Sequence, residues 1–178
     1  MRKPVVLYLL VLLLLGGTSM AQDLTSVQFK LKDINGKKRS FQTIMKKVRG
    51  TEKTPRKGVV VLSFWALWCQ PCKKEMKAFK PIFQQLRKEG LNVEYIAINL
   101  DNIRSTAKVK SYVTAQKFPY IQLLDPNQRV FEKLNGQSIP YTLVLKESGA
   151  LINKHIGFIP GDEKHLEEEI RNYLSGDS

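Results

Sequence analysis

Two cysteines, Cys69 and Cys72, are the only ones in the 178-residue chain, and only Gln70 and Pro71 separate them. A thiolate three positions from a second thiol can attack a disulfide, form a mixed disulfide, and be released when the second sulfur closes on it. Other uses of a cysteine pair fit less well. A structural zinc site takes four ligands, and the only further candidates are His155 and His165, which are not at zinc-finger spacing. A c-type haem attachment would need a histidine after Cys72, where Lys73 stands. A purely structural crosslink is the remaining alternative, and the flanking Trp68 and the helical stretch that follows favour redox chemistry over it.

The elements around the pair explain how it would be activated. Val59 to Phe64 is a short, largely β-branched apolar run with the character of a buried parallel strand. After Pro71 the apolar residues Met76, Phe79, Ile82, Phe83 and Leu86 recur at helical spacing, and Gly90 closes the helix. The cysteines therefore sit where a strand hands over to a helix. There the first helical N–H groups lack carbonyl partners and the dipole favours a thiolate. Cys69 is the sulfur placed to benefit, which makes it the nucleophile and Cys72 the resolving thiol. Pro71 suits the first turn because it has no N–H to leave unpaired. Pro81 removes an internal hydrogen bond and is expected to kink the helix.

An apolar strand followed by Trp-Cys-x-x-Cys resembles the thioredoxin superfamily, and Phe64 to Met76, FWALWCQPCKKEM, is most similar to its TlpA/ResA-like secreted thiol-disulfide oxidoreductases. The resemblance implies a thioredoxin-like α/β fold with an N-terminal β-hairpin extension and a central strand–helix insertion. It implies a lowered pKa at Cys69, about 7 in thioredoxin itself. It assigns Glu75, on the helix face of Cys72, to moving that thiol's proton, with a solvated helix residue as the alternative. Ile139-Pro140 resembles the family's cis-proline loop, whose backbone would lie against the disulfide and pair with an extended substrate. Trp68 would shield the disulfide and touch substrate, while Trp65 belongs in the core. Ser63 occupies the place of thioredoxin's buried aspartate and carries no charge, which leaves Glu75 as the substitute. Lys73 and Lys74 are expected to be solvated, and nothing marks His155 or His165 for a role.

The address of the chain reads from its first 21 residues. Arg2 and Lys3, the apolar run Val5 to Leu15 and Ser19-Met20-Ala21 have the order of a cleaved signal peptide, and the run is shorter than the roughly 20 residues of a membrane span. An uncleaved tether is the alternative. The expected organisation is a signal peptide over 1–21, a hairpin extension over 22–58 and a redox core over 59–178, in a periplasmic or otherwise secreted protein. Removing the leader takes two of 29 basic side chains and leaves 27 against 16 acidic, a net charge of +11. Outside the cytoplasm that balance points to anionic membrane surfaces or acidic proteins, not to nucleic acid. No cofactor is implied. Partners would be a disulfide-containing protein substrate and an electron-donor protein, membrane-bound or secreted.

Along the rest of the chain, strands are expected at Val27–Leu31 and up to Phe41, joined by the Asn35-Gly36 turn, then a short helix over 42–48. Further strands fall at Val93–Leu100, Ile121–Leu124, Tyr141–Lys146 and Ala150–Ile156. Helices fall at about 103–117, capped by Asp101, and at 128–134 and 162–174. The function expected is reduction of protein disulfides. Strongly oxidising relatives place a histidine between the cysteines, where this chain has Gln70-Pro71. Within the same chemistry an oxidase or isomerase is the alternative. A copper metallochaperone is a different one, disfavoured by the two-residue spacing. A peroxidase is disfavoured because Ala66 stands where such enzymes have threonine.

Overall fold

The computed structural model describes residues 27–176. The expected signal peptide lies outside them. Seven strands form one mixed sheet: β1 (Lys30–Asp33), β2 (Lys38–Ser40), β3 (Val59–Trp65), β4 (Val93–Asn99), β5 (Ile121–Leu124), β6 (Tyr141–Lys146) and β7 (Leu151–Ile156), in the order β2-β1-β5-β4-β3-β6-β7. The helices are α1 (Phe41–Arg49), α2 (Gln70–Lys88), α3 (Thr106–Ala115), α4 (Arg129–Lys133) and α5 (Asp162–Ser175). β3, β4 and β5 run parallel, while β6 and β7 turn back antiparallel on the other side of β3.

Every residue of β3 and β4 is buried, which is why both read as mainly apolar on both faces rather than alternating, with Ser63, Glu94 and Asn99 as the polar exceptions. Alternate side chains of β3 feed two cores. Val59, Val61 and Trp65 join Met76, Phe79 and Leu86 of α2, Val109 and Val113 of α3, and Leu166 and Ile170 of α5. Val60, Leu62 and Phe64 join Phe41, Met45 and Val48 of α1 with Val130 and Phe131 of α4. Ser63 belongs to the first face, so its hydroxyl points at α2.

Three expectations need correcting. Phe41 does not end a strand: it opens α1 and stacks on Phe29 at 4.7 Å, which pulls the chain into the helix one residue early. The first strand starts at Lys30 and reaches Asp33, because it pairs with β5 through Lys32 and Asp33 while the Asp33 carboxylate closes the turn by accepting from the N–H groups of Asn35 and Lys37. Asp101 does not cap a helix. Asn102 caps the 3₁₀ turn Ile103–Ser105 that precedes α3, through Arg104 N–H, which leaves Asp101 for the task described below. Pro81 lies on the exposed side of α2, which continues through it.

Candidate active site

Cys69 and Cys72 are joined in a disulfide, Cα to Cα 5.4 Å, at the carboxyl end of β3. Cys69 is the N-cap of α2 and its sulfur accepts from the N–H of Cys72 at 3.3 Å, with Pro71 in the first turn. Among the described residues no side chain donates to it. Cys72 is wholly enclosed, whereas Trp68 beside Cys69 stands 70% exposed.

The turn that carries the pair is braced from the neighbouring strand. Asp101 accepts from Leu67 N–H at 2.7 Å and from the Asn99 amide at 2.8 Å, and Leu100 N–H donates to the Trp65 carbonyl. Fixing Leu67 in this way fixes the path from Trp65 to Cys69. Trp65 is buried in the core, and Trp68 is left outside it.

Ile139-Pro140 precedes β6, and the pairing of Tyr141 with Phe64 sets that loop at the same end of the sheet as Cys69. The Ile139–Pro140 bond is cis, Pro140 is buried and Ile139 half-buried, and the Pro140 carbonyl accepts from Gly157 N–H. The loop after β7 is thereby tied to the proline loop.

Glu75 is not a solvated helix residue. It lies on the inner stripe of α2 with Cys72, Met76 and Phe79 and is 5% exposed. Its carboxylate accepts from the Thr142 hydroxyl at 2.8 Å and the Ser63 hydroxyl at 3.1 Å. Burial pushes its pKa up, the two hydroxyls and the charge of His155 oppose that only in part, and the result is raised to about 7. Ser63 thus serves the carboxylate rather than replacing it. The phenols of Tyr95 and Tyr120, pushed upward chiefly by their own burial, also feel the Glu75 charge.

His155, which nothing in the sequence marked, proves to be part of these surroundings. It pairs opposite Thr142 in the β6–β7 ladder, and its Nε2 lies 2.9 Å from the Glu169 carboxylate of α5. A regular hairpin turning at Glu147-Ser148-Gly149 would set 142 against 154, and it is the register shift between Val144 and Leu145 that brings 155 opposite 142, which no local signal in the sequence announces. His165 is exposed, with only a 3.7 Å contact to Glu168. Lys73 stands over the Tyr112 ring. Among the described residues no three His, Cys, Asp or Glu side chains are grouped to hold a metal ion.

A cysteine pair at the start of the helix that follows the central strand of a mixed sheet defines a thioredoxin-like thiol-disulfide oxidoreductase. The chain belongs to the AhpC/TSA family, which its residues 25–154 match. Among curated proteins it is similar to the thioredoxin-like protein YneN of Bacillus subtilis, 28% identical over 144 residues, 80% of this chain and 74% of that one. It is similar also to the thiol-disulfide oxidoreductase ResA of Bacillus anthracis, 26% identical over 146 residues, 82% of this chain and 72% of the other. In fold it resembles a thiol:disulfide interchange protein DsbE from Chlorobium tepidum, with a TM-score of 0.68 at 22% identity over 83% of this chain and 94% of that one.

Proposed function

We propose that this oxidoreductase works as a reductant of protein disulfides outside the cytoplasm. The observation that carries the direction is the modest support given to the Cys69 sulfur. One backbone N–H donates to it, Gln70 and Pro71 lie exposed between the cysteines, and among the described residues no side chain donates to it. A weakly stabilised thiolate is readily oxidised and so passes its electrons on.

In the reduced protein the Cys69 thiolate attacks one sulfur of a substrate disulfide. A Cys69–substrate disulfide forms, the substrate's other sulfur leaves as thiolate, and solvent protonates it. Cys72 then gives its proton to the Glu75 carboxylate and attacks the Cys69 sulfur. The second substrate sulfur leaves, and the Cys69–Cys72 bond carries the oxidation. A donor protein with a dithiol reverses that bond for the next cycle. Trp68 and the backbone of Ile139 and Pro140 flank the place where the substrate strand would lie.

The leader over 1–21, the hairpin extension over 22–58 and the redox core over 59–178 make up this proposal's organisation. Among the described residues no helix is long and apolar enough to cross a membrane. Eleven basic side chains against two acidic between Lys30 and Lys57 support contact with an anionic membrane surface. The last turn of α1 and the loop to Lys57 are gathered at the amino end of β3, where Asn92 bridges the Val48 and Lys57 carbonyls, so such contact would leave the disulfide free.

Equilibration of the Cys69/Cys72 pair against a thiol buffer tests the direction. A potential near or below about −230 mV is expected, and one above about −180 mV would make the protein an oxidase or isomerase. Cys72→Ser should accumulate substrate on Cys69 and Cys69→Ser should not; the opposite pattern would exchange their roles.

A further inference from the structure

The carboxyl group of Glu75 is almost wholly withdrawn from bulk water. Its oxygens meet two hydroxyls, and Phe79 and Leu166 close around it. A proton taken from Cys72 must leave before the next turnover, and the side chains around Glu75 differ in what they can do with it. Tyr95 of β4 and Tyr120 before β5 are buried phenols held well above the ordinary tyrosine range by burial, and they cannot take part near neutral pH. Asp162 and Glu163 of α5 line the same cavity, and each uses one carboxylate oxygen to accept a backbone N–H, from Ile159 and Gly161, which ties them to the start of their own helix. His155 of β7 is different. It shares with Glu75 and Thr142 a cavity of about 20 Å³, room for a single water.

The ladder explains why the two meet. Directly opposed residues of antiparallel strands project to the same face, so His155 lies beside Thr142, whose hydroxyl is bonded to Glu75. The ring is only part-buried, with 28% of its side chain exposed, and Glu169 holds Nε2 from the other side. One end of the imidazole is therefore oriented by α5 while the side chain spans from the cavity to the surface.

We propose that His155, oriented by Glu169, is the station through which the proton of Glu75 exchanges with solvent. The inference rests on Glu75 serving Cys72. When Cys72 attacks, its S–H bond breaks and the proton binds a Glu75 oxygen. That O–H bond then breaks as the proton crosses the cavity to His155, whose imidazolium loses a proton to water. The two electrons leave with the substrate thiolate when the Cys69–Cys72 bond closes, and the proton transfers that follow change no oxidation state. The bond to Glu169 holds the imidazole above the ordinary histidine range, which favours its taking up a proton.

Single-turnover reaction of the reduced protein with dithiobis(nitrobenzoate) separates the steps. The first coloured thiolate reports Cys69 attack and the second reports Cys72 closing the bond. In His155→Gln the second phase should slow about tenfold between about pH 6 and 8, the first should stay within about twofold, and added imidazole should recover part of the loss. Glu169→Gln keeps the ring and should move the pH midpoint of the second phase downward, because the imidazolium loses its partner. An unchanged second phase in both variants, or equal slowing of both phases without imidazole rescue, overturns the proposal. Glu75→Gln distinguishes the two levels. If it slows the second phase while His155→Gln and Glu169→Gln do not, Glu75 keeps its role and His155 loses its own; if none does, both fall.

Discussion

Glu75 and Asp33 each show about a twentieth of their surface to solvent, at 5% and 6%, but they are surrounded by opposite kinds of partner. Asp33 sits in the hairpin at the sheet edge, enclosed by its own turn. It accepts from the N–H groups of Asn35 and Lys37 and from the Arg39 guanidinium, each at 2.9 Å. Burial alone would raise its pKa, but Arg39 and the two backbone donors outweigh it and the carboxyl is held below its ordinary range. Glu75 lies inside the core between α2 and β6, where two hydroxyls and, among the described residues, no backbone N–H or ion-paired cation bond its carboxylate, and burial prevails. A carboxylate that is given N–H donors and a guanidinium becomes a fixed anion that shapes a turn. One that is given hydroxyls, which can donate or accept, can exist in both protonation states at neutral pH.

The sharpest way to break this contrast is kinetic. Glu75→Gln should slow the closing of the Cys69–Cys72 bond by about 100-fold at pH 7, in the range of lost general acid–base catalysis, whereas Asp33→Asn should leave that rate within about twofold. Equal effects on the rate would mean that the surroundings of the two acids do not separate their roles.

The pH dependence of stability in the oxidised protein is the next test. Because Glu75 is raised to about 7 when folded, the native state binds a proton the unfolded chain has released between about pH 4.5 and 7. Stability should fall as pH rises through that window, by roughly 3 kcal/mol in total, and Glu75→Gln should remove that slope. Denaturant midpoints at several pH values measure it. Asp33 has the opposite sign. Its contribution is present above the unfolded value of about 3.9 and is lost as pH falls through the depressed folded value. Asp33→Asn should therefore lower stability by about 1–3 kcal/mol at pH 7 and much less below about pH 3, which thermal melts would register.

The same contrast marks how far the sequence could be read. The bounds of β5 and β6 were legible to the residue, because each is a short apolar run stopped by a turn or a proline. The inward placement of Glu75 was legible too, since 72, 75, 76, 79, 83 and 86 share one helix stripe, though Lys73 and Lys74 beside it give the segment a polar look. What could not be read locally were the long-range closures. Asp101 bonds Leu67 across 34 positions, and the partner of His155 arrives on another element 14 positions later. Phe41 was misassigned because its propensity suits a strand, while its packing on Phe29 decides for a helix.

The complete enclosure of Cys72 has a consequence in time. While a partner is held on Cys69, the enclosed Cys72 is withheld from dissolved disulfides and alkylating agents and is kept for the one sulfur beside it. Where release runs through Cys72, the dwell time of each covalent complex includes the time Cys72 takes to shed its proton inside the protein. Partners of very different strength of attachment would be let go on a common internal clock, and substitutions deep in α2 would lengthen every encounter alike.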